Sequence, residues 1–216
     1  MSNRWLLLVA ALAGYVLLWV GWAAHWAALG WVDTSLLAVS HNYGLAHPGW
    51  VSGWQLYCLV FGPWTFQLVA VVVTIVALVR RKRRVVLFLL VCVLLEGLVT
   101  ELAKDIAQRP RPVTALAHEP SWSFPSGHAL GTITGLLALT AAALVLVRPA
   151  RQRMVWPAAA IGAVVVLLVG VGRVMLNVHN PSDVLAGWLL GGAWFLVTLP
   201  ILSGGRTSEV HIVSKP

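Results

Sequence analysis

Three stretches of the chain carry residues whose types and spacing can do chemistry together. The middle one is Ser123-Phe124-Pro125-Ser126-Gly127-His128. Pro125 and Ser126 are helix-start signals, and Gly127 has no Cβ to keep the backbone away from a ligand. The free N–H groups of such a first turn form an anion site, with His128 beside it. Upstream lie Lys104 and Arg111, and downstream lie Arg173, His179 and Asp183. Three cations and a helix N-terminus aimed at one point hold an anion, and that density of donors suits phosphate. The two histidines add a nucleophile and a general acid. Asp183, four residues after His179, can take the proton of one ring nitrogen and leave the other free to attack.

These residues meet only if the elements between them are right. Of 216 residues, 59% are hydrophobic and 10% are charged. A soluble domain cannot hide that much apolar surface, so the composition predicts an all-α integral membrane protein. Six apolar runs are long enough to span a bilayer: 5–29, 56–79, 85–102, 129–147, 154–176 and 184–202. A signal peptide is the competing reading of the first run, but the run is long for one and Ala-His-Trp-Ala is a poor cleavage site. The mixed segment Gly30–Gln55 holds Asp33, His41, His47, Trp31, Trp50 and Trp54. It reads as interfacial, partly a short amphipathic helix lying on the membrane, and as a candidate lid or substrate guide. Cys58 and Cys92 each lie inside an apolar run and read as packing residues. They read neither as a disulfide nor as a metal pair, and no zinc-type spacing is present.

Six spans put both termini on one side. That side carries Arg4, the Arg80-Arg81-Lys82-Arg83-Arg84 cluster, Arg148, Arg151, Arg153, Arg206 and Lys215, eleven of the fifteen basic residues. Such a bias places both termini in the cytoplasm. It also accounts for the net charge of +8 without any nucleic-acid partner. The cluster at 80–84 is a topology anchor, with anionic lipid binding as a minor extra. The four exceptions, Lys104, Arg109, Arg111 and Arg173, lie near the outer ends of the third and fifth spans. Charges in such places are costly and mark function.

In this order the motifs resemble a known family. Lys104 followed after six residues by Arg111-Pro112, then Pro125-Ser126-Gly127-His128, then Arg173, His179 and Asp183, is similar to the three-part signature of the type 2 phosphatidic acid phosphatase superfamily. That superfamily includes membrane lipid phosphate phosphatases and, more distantly, soluble acid phosphatases and vanadium haloperoxidases. The signature covers 104–183, and the six-span pattern extends the likeness to most of a single domain, 1–216. One departure is visible: Gly172 stands where the family often has Ser. The resemblance implies that His179 attacks phosphorus to form a phosphohistidine, that Asp183 orients it, and that His128 protonates the leaving oxygen and then activates water. Lys104, Arg111 and Arg173 would hold the phosphate oxygens, with the Ser126 hydroxyl and the Gly127 amide as further donors. No metal or other cofactor is implied.

Taken singly, several of these residues have plainer roles. Asn180-Pro181-Ser182-Asp183 is a helix start with Asp183 at its third position, and Lys104 and Arg111 suit the membrane interface. Glu101 can pair with Lys104 three residues on. Glu96, inside the third span, is expected to face the bundle interior, where it supports the site or only packs. Arg109 either touches a diphosphate or decorates its loop. His25, His41, His47, His118 and Glu119 read as interfacial polar residues. Gly187, Gly191 and Gly192 read as a close-packing face.

Taken together, these residues lead us to expect metal-independent hydrolysis of a membrane lipid phosphate or diphosphate at the outer face of a bacterial plasma membrane. A polyprenyl (undecaprenyl) diphosphate is the favoured substrate. Phosphatidic acid, phosphatidylglycerol phosphate and phosphotransfer to another acceptor are the nearest alternatives. A non-catalytic anionic-lipid binder or transporter is the alternative from another class. It would need the cations but not an oriented nucleophile and a separate acid. Chain-length preference and oligomeric state are not readable from the residues.

Overall fold

A computed structural model describes residues 3–203. Arg206, Lys215 and most of the polar tail therefore lie outside the described residues. The chain is helical: α1 Asn3–Ala23, α2 Ala27–Ala46, α3 Pro48–Val60, α4 Pro63–Val79, α5 Arg83–Leu89, α6 Glu96–Ala107, α7 Gly127–Leu146, α8 Val155–Met175, α9 Pro181–Thr198 and the short α10 Pro200–Ser203. Among the described residues, six helical segments are long and apolar enough to cross a membrane.

The boundaries differ from the apolar runs in instructive ways. The first span stops at Ala23, because His25 adopts a left-handed φ of 54° and turns the chain. The segment after it is no short surface helix. It forms α2, twenty residues long, with Asp33, Leu37, Ser40 and Gly44 on one buried face against α8 and α9. The second span begins at Pro48 and is broken at Gly62, which is extended. A Cβ at Gly62 would lie 2.4 Å from the Cys58 carbonyl oxygen and 3.4 Å from Cδ2 of His128, so glycine is required at this break. The third span runs from Arg83 to Ala107 with a π-helical stretch, Leu90–Leu94, at its centre. There the Cys92 carbonyl accepts a hydrogen bond of 2.9 Å from Trp194 Nε1, a partner for a backbone group that the irregular turn leaves available.

The inner core joins α4, α5, the π-helical stretch and α7 through Ala70, Ala77, Phe88, Leu89, Cys92 and Ala138. The outward faces carry exposed Leu59, Val72, Leu98, Ile161 and Val164, as helices facing lipid do. Small residues let α9 sit directly on α7. A Cβ at Gly187 would come within 2.5 Å of the Ser126 carbonyl oxygen, and one at Gly191 within 2.7 Å of that of Leu130. Gly192 is not part of this face, since a Cβ there would meet nothing within 4 Å. The α7–α9 contact clamps two helix N-termini side by side, and those N-termini carry the sequence motifs.

Candidate active site

The chain direction brings the C-terminal ends of α6 and α8 and the N-terminal ends of α7 and α9 to one end of the bundle. The opposite end carries the basic loops, which are tied together there by a 2.9 Å hydrogen bond from Arg80 Nη1 to the Leu146 carbonyl. At the site end, Ser126 caps α7, its hydroxyl accepting from Ala129 N at 3.5 Å, while its own N–H donates to the Asp183 carbonyl at 2.9 Å. Asn180 caps α9 in a reciprocal box with Asp183, whose Oδ2 accepts from Asn180 N at 2.8 Å. The two starts therefore fix each other. Gly127 is packed against α6, where Lys104 Nζ lies 3.8 Å from the Cβ position.

His179 sits in the turn before α9, 1% exposed. Its Nε2 lies 3.2 Å from Arg111 Nη1. A guanidinium only donates, so Nε2 must accept and carries the ring's lone pair. Nδ1 faces Asp183 Oδ2 at 3.7 Å, beyond hydrogen-bond distance, and finds no partner among the described residues. Burial holds the His179 imidazole well below its ordinary pKa range, and the charges of Arg173, Arg111 and Lys104 push the same way. Burial first, and the neighbouring cations second, thus favour the neutral ring. The half-buried His128 ring packs over Gly62 at the break between α3 and α4.

The cations are held by neighbours that the motifs do not name. Lys104 Nζ donates to Glu101 Oε1 and to Ser121 Oγ, each at 2.9 Å. Arg111 donates to the Ser121 carbonyl at 2.8 Å and to the Val178 carbonyl at 2.7 Å, which fixes its fork beside His179. Arg173 is 4% exposed and forms an ion pair with Glu119, while its Nε has no partner among the described residues. Glu119 is therefore more than an interfacial decoration. Burial pushes its carboxyl up, but Arg173 and Arg111 outweigh this and hold it below the usual carboxylate range. The residue before Arg173 must be glycine here, because a Cβ at Gly172 would lie 2.7 Å from the Trp54 ring and 2.8 Å from the Cys58 sulfur.

Arg109 does neither of the things its position in the loop suggests. It is 7% exposed and lies between two buried carboxylates, donating to Asp33 Oδ2 at 2.8 Å and to Asp183 Oδ1 at 2.6 Å. Ser182 completes the network, its hydroxyl donating to Asp33 at 2.6 Å and its N–H donating to the same carboxylate at 3.0 Å. Ser123 also donates to Asp183. Asp183 is thus saturated by Arg109, Ser123 and Asn180, and α2 is tied to the site through Asp33. Glu96 faces the interior against α7, where Gln67 donates to it at 3.2 Å. Two other histidines make contacts elsewhere: His41 with the Thr114 carbonyl, His47 with that of Tyr43 and with the Tyr43 ring.

Among the described residues, no three His, Cys, Asp or Glu side chains gather in a set that could hold a metal ion. A cavity of about 780 Å³ lies away from these polar residues. It is an apolar groove between α4, α7 and α8, lined by Phe61, Thr65, Val69, Leu136, Ala143 and Val165 among others.

Known proteins share this sequence and this fold. The chain is 29% identical over 151 residues to a Sulfolobus acidocaldarius protein named undecaprenyl-diphosphatase, covering 67% of this chain and 68% of that one. It is 38% identical over 100 residues to phosphatidylglycerophosphatase B of Bacillus subtilis, covering 44% of this chain and 47% of that one. The crystal structure of a transmembrane PAP2-type phosphatidylglycerolphosphate phosphatase from Bacillus subtilis superposes with a TM-score of 0.77. That match covers 93% of this chain and 98% of the other at 24% identity, and so establishes the shared fold. Residues 85–204, more than half of this multi-pass membrane protein, match the PAP2 superfamily, and the chain belongs to that family.

Proposed function

We propose that this PAP2 phosphatase hydrolyses a polyprenyl diphosphate at the outer face of the membrane through a phosphohistidine on His179. The observation that carries the reading is the state of that imidazole. It is buried and neutral, and Arg111, a group that can only donate, fixes its lone pair on Nε2. In the first step Nε2 attacks the terminal phosphorus and the bond to the leaving oxygen breaks. His128 gives that oxygen its proton. In the second step His128 takes a proton from water, the water oxygen attacks phosphorus, and the P–N bond breaks to release inorganic phosphate. Arg111, Arg173, Lys104 and the first-turn amides of α7 stabilise the charge on the phosphoryl oxygens, so the chemistry calls for no metal. Asp183 acts at 3.7 Å as a fixed negative charge beside Nδ1. That charge favours the positive character the ring gains as it attacks.

The outer-face assignment rests on charge. Among the described residues the site end carries only the four basic residues that the proposed chemistry and its supports use, while the arginine-rich loops lie at the opposite end. The undecaprenyl-diphosphatase likeness favours a polyprenyl diphosphate, and the phosphatidylglycerophosphatase likeness keeps phosphatidylglycerol phosphate as the second reading. The test is phosphate release in detergent with excess EDTA, offering undecaprenyl diphosphate, phosphatidic acid and phosphatidylglycerol phosphate side by side, with His179→Ala as control. Release that survives EDTA, disappears in the variant and is fastest with the diphosphate is expected. Loss of release on chelation, or release by the variant, overturns the mechanism. A phospholipid monoester ranking first overturns the substrate.

A further inference from the structure

Two of the three cations assigned to phosphate already share an anion from the chain itself. The Glu119 carboxylate pairs with Arg173, and its other oxygen lies 4.0 Å from Arg111. Glu119 occupies Nη2 of Arg173, the nitrogen common to both bidentate edges of a guanidinium, so a phosphoryl group that grips Arg173 by two nitrogens competes with the carboxylate for it. The segment carrying Glu119 is built differently from the rest of its loop. On one side the Leu116 N–H is bonded to the Leu176 carbonyl, and on the other Arg111 holds the Ser121 carbonyl and the Ser123 N–H is bonded to the Arg109 carbonyl. Between these pins, the backbone of 117–120 makes no hydrogen bond to any described residue. His118 and Pro120, on either side of Glu119, are exposed. Ala117 packs against the cluster of Cys58, Leu176 and Val178, but among the described residues the carboxylate is the only hydrogen-bonded anchor of 118–120 and can leave the arginines without breaking any other hydrogen bond.

We propose that Glu119 is an internal counter-ion that exchanges with phosphate at Arg173 and Arg111 in each turnover. It yields to the incoming phosphoryl group and returns as inorganic phosphate departs. This rests on the phosphatase reading above and adds a residue to it. Displacing one carboxylate weakens every anion at the site by the same factor, so Glu119 does not choose among substrates. Its effect falls on release: a dianionic product held by three cations would otherwise leave slowly, and the returning carboxylate offsets that attraction.

The test uses Glu119→Gln, which keeps the shape and removes the charge, and Glu119→Asp, which keeps the charge on a shorter arm. Inorganic phosphate is measured both as a competitive inhibitor of lipid hydrolysis and as a ligand by calorimetry. For Glu119→Gln, the inhibition constant, the calorimetric Kd and the KM should fall together by about tenfold, the factor that one charge-assisted hydrogen bond is worth. The kcat should not rise, and Glu119→Asp should lie nearer the parent. Unchanged or weaker phosphate binding in Glu119→Gln would overturn the proposal and leave Glu119 as a support for Arg173. If the parent releases no phosphate from any lipid but calorimetry still shows the tighter binding, the exchange stands and the hydrolytic reading falls.

Discussion

Replacing Arg109 by Met is the sharpest test of how the site is held. Arg109 touches no position assigned to substrate, yet it is the cation between Asp33 and Asp183, which are 2% and 0% exposed. Methionine fills most of its volume but leaves two carboxylates facing each other without a counter-charge. Breaking a buried pair by removing one partner costs about 3–5 kcal/mol, a large share of the roughly 5–15 kcal/mol that holds a domain together. At roughly 2–4 °C per kcal/mol for a chain of this length, the midpoint of thermal unfolding in detergent should fall by about 6–20 °C. The cost should be mostly electrostatic, so Asp33→Asn in the same chain should restore part of it. We expect a coupling of about 1–3 kcal/mol between the two sites in a double-mutant cycle. A loss under about 1 kcal/mol for Arg109→Met, or strict additivity with Asp33→Asn, would refute the reasoning, because either result would mean the carboxylates do not depend on this guanidinium.

Other expectations follow from the same geometry. His128→Ala should slow phosphoryl transfer from a lipid phosphomonoester, whose alkoxide leaving group needs a proton, by about 10²–10⁴-fold and lose less on an aryl phosphate, whose leaving group needs little protonation. Quenching into alkali, which preserves the acid-labile P–N bond, should then show accumulated phosphoenzyme, and an equal loss in the rate of phosphoenzyme formation from both substrates would count against the acid role. His179 is held below its ordinary value near 6.5, so a histidine NMR titration should show no His179 inflection between about pH 8 and 6. The folded chain takes up this proton less readily than the unfolded one. The stabilisation is therefore complete above about 6.5 and is lost as pH falls below it; an inflection at 6.5 would contradict the electrostatic picture. Gly187→Ala should destabilise by about 1–3 kcal/mol and raise KM, because its methyl meets the backbone that caps α7. Gly192→Ala, with open space around it, should be neutral or stabilising by up to about 1 kcal/mol, and equal unfolding midpoints for the two variants would deny the close α7–α9 contact.

What the sequence makes legible here is what is local. The six apolar runs, the Ser126 cap and the Asn180-Pro181-Ser182-Asp183 box each depend on residues within one helical turn, and each motif lies within a few positions of a helix end. Alternating helix direction then delivers them to the same end of the bundle. The charge balance of the site is not local. Asp33 lies 76 positions from Arg109 and 149 from Ser182, and Glu119 lies 54 from Arg173. A signal was nevertheless present. Asp33, Leu37, Ser40 and Gly44 recur at the spacing of one helix face, so the mixed segment read as interfacial already contained a buried stripe with one carboxylate on it.

Arg109, Arg111 and Arg173 are three guanidinium groups in or near apolar surroundings, and none can shed its proton. Each therefore requires an anion, and on the function proposed above the phosphate of a substrate serves Arg111 and Arg173. The third needs a permanent partner, which Asp33 and Asp183 supply; the other two need one that can leave, and only a carboxylate on an untethered stretch of loop meets that condition. The acidic partners, Asp33 and Asp183 locked between α2 and α9 and Glu119 on its loop, thus sort these three arginines into one that holds the fold and two that, on the proposed mechanism, hold the substrate.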